Sequence, residues 1–190
     1  MIILSIDVGI RNLAYIIIKV NSNIEHEILK WDVLELIDKN EKANKVQNTY
    51  IGKSLCRQFD TILPNYSIDI ILIENQIGKN AIKMKTIQGM INMYFVMREY
   101  DICKILNYNA VHKLKPFIQN KKTTYNERKK LSKKVTQCLC ENYYDETISQ
   151  FYKSFKKKDD LADCLLQCLD YINKQGNIDD SFYENILLLL

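Results

Sequence analysis

The chain opens on a branched apolar run that ends in a carboxylate and a glycine: Ile2-Ile3-Leu4-Ser5-Ile6-Asp7-Val8-Gly9, with a second apolar run from Leu13. No other stretch constrains the fold so closely. A run this apolar reads as a buried strand, and Gly9 as the turn that hairpins it to a second strand. Asp7 then ends a buried strand, where an unpaired carboxylate is expensive. Two readings account for it: Asp7 caps the turn with its own side chain, or a metal ion or substrate keeps it charged.

Polar Asn21-Ser22-Asn23 marks another hairpin turn. Residues 2–8, 14–20 and 24–33 are therefore expected as three consecutive antiparallel strands. After a polar connection over 34–44, residues 45–63 become helical, with Val46, Thr49, Tyr50, Leu55, Phe59 and Leu63 along one side. Pro64-Asn65 ends that helix. Residues 68–73 form an apolar strand that stops at Glu74, a second carboxylate at a strand end. A strand after a helix after a hairpin predicts a mixed α/β sheet with helices packed on it. Residues 102–111 read as a further strand.

Residues 79–100 are the longest helical candidate. Ile82, Met90, Ile91, Met93 and Met97 give it more apolar surface than one side of a sheet requires. That surface either packs within the monomer or pairs two subunits, and Gly89 would let a second helix approach.

Net charge is only +4, which does not point to nucleic acid by itself. Its distribution does: from Lys113 to Lys134 there are nine basic residues and one acidic residue. Thr124 or Asn126 can cap a helix reaching about residue 140. That helix buries Leu131, Val135, Cys138 and Leu139 and presents Lys129, Lys130, Lys133 and Lys134. Lys121 and Lys122 precede it. An aromatic-rich connection with Tyr143, Tyr144, Phe151, Tyr152 and Phe155 follows, and then Lys156, Lys157 and Lys158. Cations attract phosphate and rings stack on exposed bases, so the region reads as a DNA-binding surface. Tyr143, Tyr144 and Tyr152 are weaker candidates, because rings also serve a core.

The six cysteines lack zinc-ligand spacing and read as reduced small hydrophobes. The apolar N-terminus is too short, and too soon broken by Asp7, for a signal peptide or a membrane span. An intracellular protein with no membrane partner is expected. A length of 190 residues suits one domain over 1–190, with no linker to divide it.

Residues 159–172 read as an amphipathic final helix that packs through Leu161, Leu165, Leu169 and Ile172. Asp160 and Asp163 share one of its sides, and Asp159 with Asp163 is also compatible by spacing. Asp159 suits a helix start. Asp7, Glu74, Asp160 and Asp163 together could hold two hard divalent ions, with phosphate oxygens completing the coordination. Such a pair activates water and stabilises a leaving 3′ oxygen.

Three segments carry a resemblance: Ser5-Ile6-Asp7-Val8-Gly9-Ile10-Arg11-Asn12-Leu13-Ala14, Ile73-Glu74-Asn75-Gln76 and Lys157-Lys158-Asp159-Asp160-Leu161-Ala162-Asp163. In this order they resemble the Holliday-junction resolvases of the RuvC-like group, within the ribonuclease H-like superfamily. The poxvirus type is the nearest in pattern and is itself similar to fungal mitochondrial resolvases. The resemblance implies a ribonuclease H-like mixed sheet with an antiparallel three-stranded N-terminal portion and helices on both faces. It implies that Asp7, Glu74, Asp160 and Asp163 are the catalytic metal ligands, with Asp160 preferred to Asp159. Magnesium is the implied ion and manganese a substitute. A homodimer making paired symmetric cuts across a four-way DNA junction is implied too, with the helix over 79–100 at or near its interface. A viral chain of this kind would act in the host cytoplasm or virion. Asp7-Val8-Gly9 also fits the actin and sugar-kinase superfamily, but the chain lacks a second domain and a GxxxxGK[ST] loop. A non-enzymatic subunit that binds branched DNA explains the basic residues and leaves the four acids without a shared role.

Overall fold

Alternation along the strands decides what each face of the sheet carries. The computed structural model describes residues 1–22, 25–78, 81–98, 103–118, 122–176, 178 and 180–190. Strand β1 (Ile2–Asp7) turns at Gly9 into β2 (Asn12–Ser22), which pairs in turn with β3 (Glu25–Glu35). A side chain at Gly9 would collide with the Asn12 carbonyl oxygen, so the tight return needs glycine. Helix α1 (Asn48–Ile62) leads to β4 (Ile70–Glu74), and α2 (Ile82–Met97) to β5 (Lys104–Tyr108). The sheet order is β3-β2-β1-β4-β5. β1, β4 and β5 run parallel, and β2 is antiparallel to both neighbours. A short α3 (Lys115–Ile118) follows, then α4 (Tyr125–Asn142), α5 (Glu146–Ser154), α6 (Lys158–Lys174) and α7 (Asp180–Leu189).

Both faces of the sheet are buried. Leu4, Ile6, Tyr15, Ile71 and Ile73 pack against α1 and α2 through Ile51, Phe59, Ile87 and Phe95. Ile3, Ile16 and Leu72 pack on the other face with Val135, Tyr152 and Leu165 from α4, α5 and α6. This is the mixed sheet with an antiparallel N-terminal portion and helices on both faces, as in the ribonuclease H-like fold.

Several expectations are corrected. The connection after β3 is not simply polar: Leu36 and Ile37 are buried, and Arg11 Nη1 donates to Asp38 O at 2.7 Å. Lys83 Nζ holds the same segment through Ala43 O and Val46 O, both at 2.6 Å. The aromatic-rich connection is largely α5, with Tyr152 fully buried and stacked on Trp31 at 5.5 Å. The helix carrying Asp160 and Asp163 is not the last, since α7 packs back through Phe182, Tyr183 and Ile186. Ile91, read as an interface residue, is wholly inside the monomer beneath the sheet, because it shares the buried side of α2 with Ile87 and Phe95. Among the described residues, no helix is long and apolar enough to cross a membrane.

Candidate active site

Strand parity brings the two strand-end carboxylates together. Ile3, Ser5 and Asp7 lie on the α6 side of β1, as Ile70, Leu72 and Glu74 do on β4. The parallel register pairs Ile6 with Ile73, so Asp7 and Glu74 emerge side by side. Glu74 is in turn paired with Tyr108 at the end of β5. The Asp7 carboxyl is half-buried and shares a hydrogen bond with Glu74.

Helix α6 is fastened across the same edge. Trp31 Nε1 donates to Leu161 O at 3.3 Å, and Ser5 Oγ donates to Cys164 O at 2.8 Å. These contacts place Asp163 beside the strand ends. Lys113, in the turn after β5, reaches the same point: its ammonium lies 2.7 Å from Asp163 Oδ1, with only 13% of its side chain exposed. Ser132 Oγ of α4 donates to the same carboxylate oxygen at 3.3 Å.

Burial pushes the Asp7 carboxyl well above the ordinary carboxylate range. The Glu74 charge, the shared hydrogen bond and Asp163 push it further, against the pull of Lys113. For Lys113, burial works against the charged form, but Asp163, Asp7 and Glu74 outweigh it and hold the ammonium protonated. Asp160 is half-buried one turn before Asp163. Its carboxyl is raised by burial and by Asp159, with Asp163 adding to the rise and Lys157 opposing it. Asp159 is burdened by burial yet held low by Lys129, whose ammonium lies 2.7 Å from Asp159 Oδ2.

Among the described residues no three acidic, histidine or cysteine side chains converge on one metal-sized point. Asp163 instead pairs with the Lys113 ammonium, which also feels the charges of Asp7 and Glu74. The donor set nevertheless suits a hard divalent cation. It is made of carboxylate oxygens, two of them at the ends of neighbouring parallel strands. Glu74 is steadied by Gln76 Nε2, which donates to it at 2.7 Å. Gln88 accepts from the Gln76 backbone at 3.0 Å and donates to Asn107 Oδ1 at 2.8 Å.

The basic residues are spread along the flank of this edge. Lys122, Lys130, Lys133 and Lys134 are exposed, whereas Lys129 is engaged with Asp159. Lys134 Nζ also donates to the Leu190 carbonyl oxygen. Lys156 and Lys157 are exposed, and Lys158 lies over the Tyr152 ring at 5.7 Å. Lys121 lies outside the described residues. Tyr144 and Tyr152 are committed to the core, which leaves Tyr143 with partial exposure. On α2, Ile82, Met93 and Met97 are exposed and Met90 is half-buried. Met90, Met93 and Met97 line an apolar groove of about 320 Å³ against Leu55 and Cys56 of α1.

Sequence reasoning missed Lys113, Gln76, Ser5 and Gln167. Lys113 carried a usable signal: it falls five residues after the last residue of the third parallel strand, whose C-terminal end lies on the same edge as Asp7 and Glu74. Gln167 follows Asp163 by four positions, between the apolar residues Leu165, Leu166, Cys168 and Leu169.

Solved structures share this fold. The fowlpox virus resolvase, crystallised with a substrate Holliday junction DNA, is 22% identical at a TM-score of 0.62, over 92% of this chain and 99% of its own. The yeast mitochondrial Holliday junction resolvase is 18% identical at a TM-score of 0.68, over 98% of this chain and 85% of its own. RuvC of Thermus thermophilus is 13% identical at 0.59, over 93% and 98%. At these identities the likeness is one of fold. No curated protein sequence gives a significant match. The family model described as poxvirus A22 protein matches residues 1–175, from β1 through the whole of α6. The chain therefore belongs to the poxvirus A22 protein family.

Proposed function

We propose that this protein is a divalent-cation-dependent endonuclease that resolves four-way DNA junctions by paired symmetric cuts. The observation that carries the reading is the meeting of Asp7, Glu74, Asp163 and Lys113 at one sheet edge. A fold alone hosts many activities, whereas this set of groups has a specific use. The fowlpox relative solved with a Holliday junction favours that DNA form as the substrate. The whole chain, 1–190, would act as one nuclease domain.

Asp7, Glu74, Asp160 and Asp163 would hold the cation. Magnesium is the expected ion, two per site, with manganese able to replace it. A bound divalent ion supplies Lewis acidity toward the scissile phosphate and the attacking water. Asp7 and Glu74 are rigid contributors because each ends a strand inside the sheet. Asp163 is fixed by α6, and Asp160, one turn earlier on that helix, would complete the set. Lys113 neutralises the carboxylates in the free protein, and its ammonium is placed to hold a phosphate oxygen once a cation takes over that charge. Gln76 would steady Glu74 through its hydrogen bond. The product carries a 5′ phosphate and a 3′ hydroxyl.

Lys121, Lys122, Lys129, Lys130, Lys133 and Lys134 would bind phosphates of the junction arms, with Lys156, Lys157 and Lys158 nearer the cut. The exposed side of α2, through Ile82, Met90, Met93 and Met97, would join two copies, so that two sites face opposing strands. The protein would work inside the infected cell or the virion. The test is cleavage of intact four-way junctions, three-way junctions and linear duplexes in magnesium. Symmetric nicking of the four-way junction alone is expected. Tight junction binding with no cleavage in magnesium or manganese would instead make the protein a non-enzymatic junction-binding subunit.

A further inference from the structure

Two polar side chains stand inside the apolar layer between α6 and the sheet. Ser5 is 0% exposed and Gln167 is 1% exposed. Burying a hydroxyl and an amide is costly unless both are hydrogen-bonded, and here both are. Gln167 Nε2 donates to Ser5 Oγ at 3.1 Å and to Ile6 O at 3.3 Å, and it lies 3.5 Å from Leu72 O. Ser5 Oγ donates to Cys164 O at 2.8 Å. Their neighbours in this layer, such as Leu72, Leu165 and Cys168, fill space with apolar atoms, so packing alone does not call for an amide.

The hydrogen bonds link the two elements that bear the carboxylates. Ser5 and Ile6 lead directly into Asp7. Leu72 precedes Glu74 by two residues on the same face. Cys164 follows Asp163, and Gln167 lies one helical turn beyond it. We propose that Gln167 and Ser5 form a positioning clip that sets the separation of Asp163 from Asp7 and Glu74, and with it the site's fit for a small octahedral cation. This rests on the cation-dependent reading above. Mg²⁺ requires near-ideal octahedral geometry at short distances, whereas Ca²⁺ accepts longer and less regular coordination. A loosened clip therefore weakens Mg²⁺ more than Ca²⁺.

The test reads cation binding without DNA or cleavage. Thermal melts of the wild type, Gln167→Met, Ser5→Ala and Asp7→Asn are recorded against Mg²⁺ and, separately, Ca²⁺. Gln167→Met keeps the side-chain length, and Ser5→Ala removes one atom and serves where the first variant does not fold. In the wild type, both ions should raise the melting temperature. In a folded clip variant, the Mg²⁺ midpoint should rise by about tenfold or more, the effect typical of removing a group that supports a metal ligand. The Ca²⁺ midpoint should move much less. Midpoints unchanged for both ions, or moved equally, would overturn the clip while leaving the cation site standing. A wild type that responds to neither ion, and so matches Asp7→Asn, would overturn the cation reading and the clip with it.

Discussion

Asp7 ends a central strand with its carboxyl half-buried beside Glu74. Burial and the Glu74 charge raise its pKa in the folded state above the unfolded value of 3.8. The folded state thus holds the Asp7 proton more tightly than the unfolded chain does. The stability from this difference is complete below the unfolded pKa and is lost as pH rises through the folded one. At neutral pH the ionised Asp7 is a net cost, on the order of 1.4 kcal/mol for each factor of ten by which folding tightens the proton. Asp7→Asn keeps the size and removes that cost. In chelator at pH 7 the variant should melt above the wild type. The gap should close toward pH 4. Melts in which Asp7→Asn is the less stable form at every pH would contradict the account of a strained, under-compensated carboxylate.

Helix α4 joins a capped start to an exposed basic face. Its start is a reciprocal cap: Thr124 Oγ1 accepts from Glu127 N at 3.3 Å, and the Glu127 carboxylate accepts from Thr124 N at 2.7 Å. Thr124→Ala should cost about 1 kcal/mol of stability, visible as a lower urea midpoint with an unchanged slope. Its exposed face should hold phosphate. Converting Lys130, Lys133 and Lys134 to Gln should weaken junction binding across sequences and flatten its salt dependence by roughly 0.9 for every phosphate no longer neutralised. An unchanged salt slope would remove this face from the DNA interface. Thr124 was one of the two caps the sequence offered, beside Asn126, and β1 and β4 were legible as branched apolar runs ending in Asp7 and Glu74. Helix α5 was not, because Phe151, Tyr152 and Phe155 read equally well as loop aromatics until Trp31 is placed beneath them by the sheet. Lys113 was legible only by its place, five residues past the third parallel strand, and it meets Asp163 because β5 runs parallel to β4.

At the scale of the whole molecule, paired cutting needs two copies facing one junction. Met93 and Met97 are 54% and 66% exposed on α2, so glutamate at both positions should leave the monomer fold intact. Light scattering should find the wild type dimeric and Met93→Glu/Met97→Glu monomeric, with similar melting temperatures. A wild type that is monomeric at working concentrations would reject an intrinsic dimer through this face. The carboxylate edge is proposed to perform chemistry on a junction that the rest of the surface binds. Asp7→Asn separates the two roles. Cleavage and binding of one four-way junction are measured side by side in magnesium, with a melt confirming that the variant is folded. Cleavage should fall by several orders of magnitude while binding stays within a few-fold of the wild type, because the basic surface is untouched. A folded Asp7→Asn protein that resolves the junction at the wild-type rate would contradict the account.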